Sequence, residues 1–68
     1  MKKKSKPNPI LKWLKEKLNE EITIELSDGS RIGGILKGFD RHINILLETQ
    51  LGYVMVRGGS IRRIYQEI

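Results

Sequence analysis

The chain has 68 residues, with thirteen Lys or Arg against eight Asp or Glu, one histidine and no cysteine. A chain this short buries only about 60% of the surface its unfolded form exposes, so it forms a single domain with a thin core. Small domains make up that deficit with disulfides, metal or oligomerisation; the absence of cysteine excludes disulfides and thiolate zinc sites, a lone histidine cannot build a metal site by itself, and oligomerisation is the compensation left open.

The net charge of +5 is unevenly placed. Residues 1–18 hold seven lysines and one glutamate, a balance of +6, whereas residues 19–68 balance at −1. The first reading of 1–7 is a basic, solvated, flexible tail, and the sharper one is an electrostatic aid to binding a polyanion. No run approaches the ~18 apolar residues of a membrane span. Met1-Lys2-Lys3-Lys4 is not followed by the apolar stretch of a signal peptide. The expectation is a soluble cytoplasmic protein with no membrane partner and no cofactor.

Asn8-Pro9 reads as a helix start, asparagine as N-cap and proline at the first helical position. Ile10, Leu11, Leu14 and Leu18 then follow helical spacing, with Lys12, Lys15, Glu16 and Lys17 opposite. This predicts an amphipathic helix of about three turns that closes the core and stops at Asn19. Trp13 lies off the stripe, either covering the core's edge or exposed.

Residues 21–26 alternate, Ile22, Ile24 and Leu26 against Thr23 and Glu25, as a half-buried strand does. Asp28-Gly29 marks a tight turn into an antiparallel return strand, 31–40. Gly33, Gly34 and Gly38 interrupt that strand and predict strong curvature. A third strand is predicted over 43–48, a short connection at Thr49-Gln50, and a fourth strand over 51–56. Arg57-Gly58-Gly59 reads as a tight turn in which glycine supplies positive φ. The last strand, 60–65, has Ile61 and Ile64 three apart, which breaks alternation and predicts a kink. The fold class is therefore mainly β: an N-terminal helix, then a strongly bent five-stranded antiparallel barrel, partly open, spanning 8–68 after the tail. An open barrel has unpaired edges, and pairing between identical chains hides them.

Catalysis finds no support. Asp40 and His42 are two groups, not a triad, and no glycine stretch forms a phosphate-binding loop before a helix. A binding site is better founded. His42 offers a flat ring for stacking. Asn44 offers a donor and an acceptor, enough to read a base edge. Arg57 offers a planar cation for stacking or for phosphate. Asp40 is placed to orient Asn44 or Arg57. Each alone also reads as an ordinary loop or turn residue.

Two stretches carry a resemblance. Ile32-Gly33-Gly34-Ile35-Leu36-Lys37-Gly38-Phe39-Asp40-Arg41-His42-Ile43-Asn44-Ile45-Leu46-Leu47, preceded by Asp28-Gly29, resembles the first motif of the Sm/Sm-like (LSm) family. Tyr53-Val54-Met55-Val56-Arg57-Gly58-Gly59-Ser60-Ile61-Arg62-Arg63-Ile64 resembles the second. The likeness runs over about 8–66 and is closest to archaeal members. It implies a ring in which the fourth strand of one subunit pairs with the fifth of the next, heptameric by the archaeal pattern rather than hexameric by the bacterial one. It implies uridine-rich single-stranded RNA at the pore, with His42 and Arg57 stacking on a uracil, Asn44 bonding its edge, Asp40 bracing Asn44, and the backbone at Gly58 completing the pocket. A role in RNA processing, turnover or chaperoning follows, with RNA-processing proteins as further partners. Ile43 stands where methionine is common, and Gly59 where aspartate or asparagine is common. Two other readings compete: a structural or protein-docking ring touching RNA only through the lysine tails, and a monomeric Src-homology-3-like barrel.

Overall fold

The computed structural model describes residues 8–67. The lysine tail at 1–7 lies outside them. Helix α1 spans Pro9–Glu16, capped by Asn8, whose Oδ1 accepts from the Ile10 N–H at 2.9 Å. The helix is a turn shorter than its apolar spacing predicts. The Lys17 N–H bonds both the Trp13 and the Leu14 carbonyls, which tightens the last turn, and Asn19 then turns the chain at φ +71. Leu18 is consequently outside the helix and exposed, and Ile10, within the helix, is exposed too; only Leu14 is fully buried, with Leu11 and Trp13 packed against the core beside it. Eight residues do not hold a helix in water alone, so α1 depends on the anchoring of Leu14.

The strands are β1 (Glu21–Leu26), β2 (Arg31–Phe39), β3 (Ile45–Thr49), β4 (Gly52–Val56) and β5 (Ile61–Tyr65), with a short 3-10 turn at Gly58–Ser60. All pair antiparallel in one sheet of order β4-β3-β2-β1-β5. Ile22, Ile24, Leu36, Ile45, Leu47 and Val56 join Leu14 in the core.

This order forces the sheet to curl. β4 and β5 are consecutive in the chain yet occupy its two edges. Four flat inter-strand steps would separate those edges by about 19 Å. The link from Val56 to Ile61 reaches at most about 18 Å if fully extended. Its centre is a 3-10 turn, so it reaches much less.

Two bulges do part of the bending. In β2, Leu36 faces Leu47 and Gly38 faces Leu46, so Lys37 is an extra residue. In β5, Arg63 faces Glu25 and Ile61 faces Leu26, so Arg62 is extra. The second bulge explains the broken alternation, because it lets Ile61 and Ile64 both turn to the core. Gly34 is buried where a Cβ would lie 2.7 Å from the Glu48 carbonyl oxygen, so close approach of β2 and β3 requires glycine there.

Five strand boundaries differ from expectation; β3 runs one residue on, to Thr49, and β5 starts one later, at Ile61. β2 ends at Phe39 and β3 starts at Ile45, because 40–44 is a turn organised by the Asp40 carboxylate. β4 starts at Gly52, because Leu51 sits 97% exposed at the hairpin tip, where Thr49 Oγ1 accepts from the Leu51 N–H and donates to the Gly52 carbonyl. Neither Gly58 nor Gly59 has a positive φ; the left-handed glycines are Gly29 and Gly52. Among the described residues no helix is long and apolar enough to cross a membrane.

Candidate nucleic-acid interface

The β2–β3 turn is built on one side chain. Asp40 Oδ1 accepts from the backbone N–H of His42 at 2.9 Å and of Asn44 at 3.0 Å, and Oδ2 accepts from Asn44 Nδ2 at 3.0 Å. The backbone closes the same loop, Asp40 N to Asn44 O at 3.1 Å and Ile43 N to Asp40 O at 3.0 Å. The Asn44 side-chain amide, then the Asn44 and His42 backbone N–H groups, hold the exposed Asp40 carboxyl below the usual carboxylate range.

Asn44 carries the connection onward. Its Oδ1 accepts from the Gly58 N–H at 2.8 Å, across fourteen residues of sequence. A carboxylate only accepts and a backbone N–H only donates, so these two partners fix which end of the amide is which. One Nδ2 proton and one Oδ1 lone pair are left over. The donor and acceptor expected of Asn44 are thus both half-spent on holding the site together.

Gly58 is glycine for a different reason from the one its turn suggested. A Cβ there would run into the His42 carbonyl oxygen and lie 3.0 Å from that of Ile43. The β4–β5 turn therefore seats directly on the β2–β3 loop. Ile43 itself takes φ +63, a left-handed conformation that is rare for a β-branched residue. Its half-buried side chain packs against the core, which secures that conformation. Sequence reading made Ile43 the first residue of the third strand, standing where methionine is common, and missed this left-handed turn.

The structure thus brings Asp40, His42, Asn44 and Gly58 together. Arg57 adjoins Gly58, is exposed, and makes no side-chain bond or ion pair among the described residues. The His42 ring is likewise exposed, and no described residue bonds it. Among the described residues no cluster of His, Cys, Asp or Glu could hold a metal ion. Two flat groups, an imidazole and a guanidinium, are thus exposed on the two loops that this polar hydrogen bonding ties together. Such a set can stack on a planar ring and bond its edge.

The model of the LSM domain matches residues 12–66. The chain belongs to the LSm family. A Sm-like snRNP protein of Aeropyrum pernix is 35% identical to this LSm chain over 63 residues, covering 78% of this chain and 82% of the relative. The crystal structure of the SmAP (LSm) protein of Methanococcus vannielii superposes with a TM-score of 0.77 at 30% identity, covering 81% of this chain and 91% of that one. The SmAP1 heptamer of Pyrobaculum aerophilum gives a TM-score of 0.80 at 26% identity, covering 91% and 97%. The helix followed by a bent five-stranded antiparallel sheet is the Sm fold, as the sequence implied.

Proposed function

We propose that this LSm chain binds single-stranded, uridine-rich RNA, one uridine per subunit, in a homo-oligomeric ring, and that it acts as a binding module rather than an enzyme. The carrying observation is the bonding of Asp40 to Asn44 and of Asn44 to Gly58. It fixes two loops remote in sequence as one rigid floor, with the His42 ring and the Arg57 guanidinium exposed on the same two loops. A uracil lying between those planar groups meets the remaining Asn44 N–H with a carbonyl oxygen. Rigidity matters because a site already ordered loses less entropy on binding.

Self-assembly is supported by the sheet's two edges. β4 and β5 each pair on one side only. β4 also exposes Tyr53 and Met55, at 65% and 61%. Open edges of this kind pair with another chain, and a head-to-tail pairing closes into a ring. The P. aerophilum relative is a heptamer, and seven subunits is the number proposed here.

Fluorescence anisotropy with oligo-uridine and oligo-cytidine over a salt series tests the reading. Uridine should bind more tightly at every salt, because base contacts persist as phosphate contacts fade. Asn44→Ala should narrow the difference, and Arg57→Ala should weaken binding to both. Equal affinity for the two oligomers sinks the uridine assignment, and loss of all binding on deleting residues 1–6 assigns the contact to the tail. Native mass spectrometry should show seven copies; a monomer at micromolar concentration refutes the ring.

A further inference from the structure

The β2–β3 turn contains a residue that its own backbone disfavours. The Ile43 N–H bonds the Asp40 carbonyl at 3.0 Å, and the Asp40 N–H bonds the Asn44 carbonyl at 3.1 Å, leaving Arg41, His42 and Ile43 as the connection. Three-residue connections of this kind end in a left-handed residue, a place that glycine takes without steric cost. Here Ile43 holds it at φ +63, although a β-branched side chain is among the least suited to that conformation. The turn therefore does not account for the isoleucine, and something outside the turn holds it there.

We propose that Ile43 is the positioning residue of the site: its side chain tethers the left-handed turn to the core, and the turn holds the His42 ring ordered and outward before RNA arrives. This rests on the RNA reading above. Three observations support it. Ile43 is the one apolar side chain among residues 40–44. It is half-buried against the core, whereas Asp40, Arg41 and His42 before it are exposed. The N–H groups on either side of it, those of His42 and Asn44, both bond Asp40 Oδ1, so the backbone at Ile43 is gripped from both ends. Successive carbonyls of an extended strand point to opposite sides. Those of His42 and Ile43 instead both close on the place a Cβ at Gly58 would take. Left-handed Ile43 lies between these two carbonyls, so the same residue sets how the loop meets Gly58 and how His42 stands on it.

Two accounts of Ile43 give opposite orders of affinity in full-length variants. If only the left-handed backbone mattered, Ile43→Gly would bind decauridylate at least as tightly as wild type. If the side chain is the tether, glycine frees the loop, and releasing one residue from a single conformation lowers the competent population by about tenfold. The expected result is therefore about tenfold weaker binding in Ile43→Gly. Ile43→Met, of similar volume and unbranched at Cβ, should restore the affinity. His42 is the chain's one histidine, so the carbon relaxation of its imidazole reports this ring alone. The free ring should be ordered in wild type and mobile in Ile43→Gly, with the amide signals of β1 and β2 unmoved; a loss of packing alone would move those amides and leave the ring ordered. Ile43→Val, which removes one methyl group, should give an intermediate ring mobility and keeps the test in force if the glycine variant fails to fold. Wild-type affinity in Ile43→Gly, a methionine variant as weak as the glycine one, or a ring equally ordered in wild type, valine and glycine variants overturns the role of Ile43 and leaves the uridine site standing. Wild-type protein that binds oligo-uridine and oligo-cytidine alike refutes the RNA reading instead.

Discussion

Replacing Gly58 with alanine separates two explanations for a glycine in the β4–β5 turn. If the turn required positive φ, the cost would arise from backbone strain; in the structure it arises from contact. The new Cβ meets the His42 carbonyl and approaches that of Ile43, and both belong to a loop that Asp40 holds fixed. Forcing a methyl group into such packing costs about 1–3 kcal/mol. Pushing the turn away also breaks the 2.8 Å bond from Gly58 N–H to Asn44 Oδ1, for about 1 kcal/mol more. A domain of this length has roughly 3–10 kcal/mol of stability in total, so a loss of about 2–4 is severe. The matched control is Gly59→Ala, one residue on, where a Cβ meets nothing within 4 Å and φ is not left-handed. It should stay within about 0.5 kcal/mol of wild type. Urea unfolding at one fixed protein concentration, followed by circular dichroism, gives both values. Oligo-uridine affinity should fall in Gly58→Ala and hold in Gly59→Ala. Equal unfolding midpoints for the two variants refute the claim that the turn seats on the 40–44 loop.

Two further outcomes follow from the turns and the bulge. Asp28 and Asp40 are both held below their ordinary carboxyl range, Asp28 first by the Ser30 hydroxyl and then its backbone N–H, Asp40 first by the Asn44 amide. Their contribution to stability is therefore complete above the unfolded value of about 3.9 and is lost as pH falls from there through the lower folded values. Asp40→Asn should flatten the acid limb of a stability–pH curve below pH 5, and an unchanged limb contradicts the assignment. Deleting Arg62 leaves Ile61 and Ile64 two apart, which restores ordinary alternation with both on the core face. The deletion variant should still fold, having lost only the Arg62 bonds to Glu25 and the Ser27 carbonyl; a chain that fails to fold means the bulge is needed for the bend itself.

The strands were legible because their burial alternates: Ile22 and Ile24, then Ile45 and Leu47, lie buried with polar or half-buried neighbours between. The kink in the last strand was legible as broken alternation at Ile61 and Ile64, though which residue bulged was not. The glycines of β2 announced curvature, but only the partner strand shows that Gly34 is the one with no room for a side chain. The helix end was misjudged because Leu18 continues the periodicity; the tightened turn at Lys17 and the left-handed Asn19 decide it, and neither leaves a hydropathy signal. At the site, Asp40, His42 and Asn44 could be grouped because they are neighbours in sequence. That Asn44 reaches Gly58 depends on the curl of the whole sheet. Gly58 carried a clue that was read the wrong way: glycine next to glycine suggests conformational freedom, whereas here the need is for space.

The pairing of β5 with β1 gives the site a place in time as well as in space. Residues 61–65 complete a ladder whose other half, 23–26, is made about forty residues earlier. Contacts so far apart in sequence form late, because the intervening chain must first be ordered. A chain interrupted before Ile61 can form the β2–β3 turn, with Asp40 already bonded to His42 and Asn44. It lacks the strand that holds Gly58 down on that turn. On the binding proposed above, a chain cut before Ile61 should therefore bind RNA more weakly than the whole chain, because the two loops of the site are no longer held together.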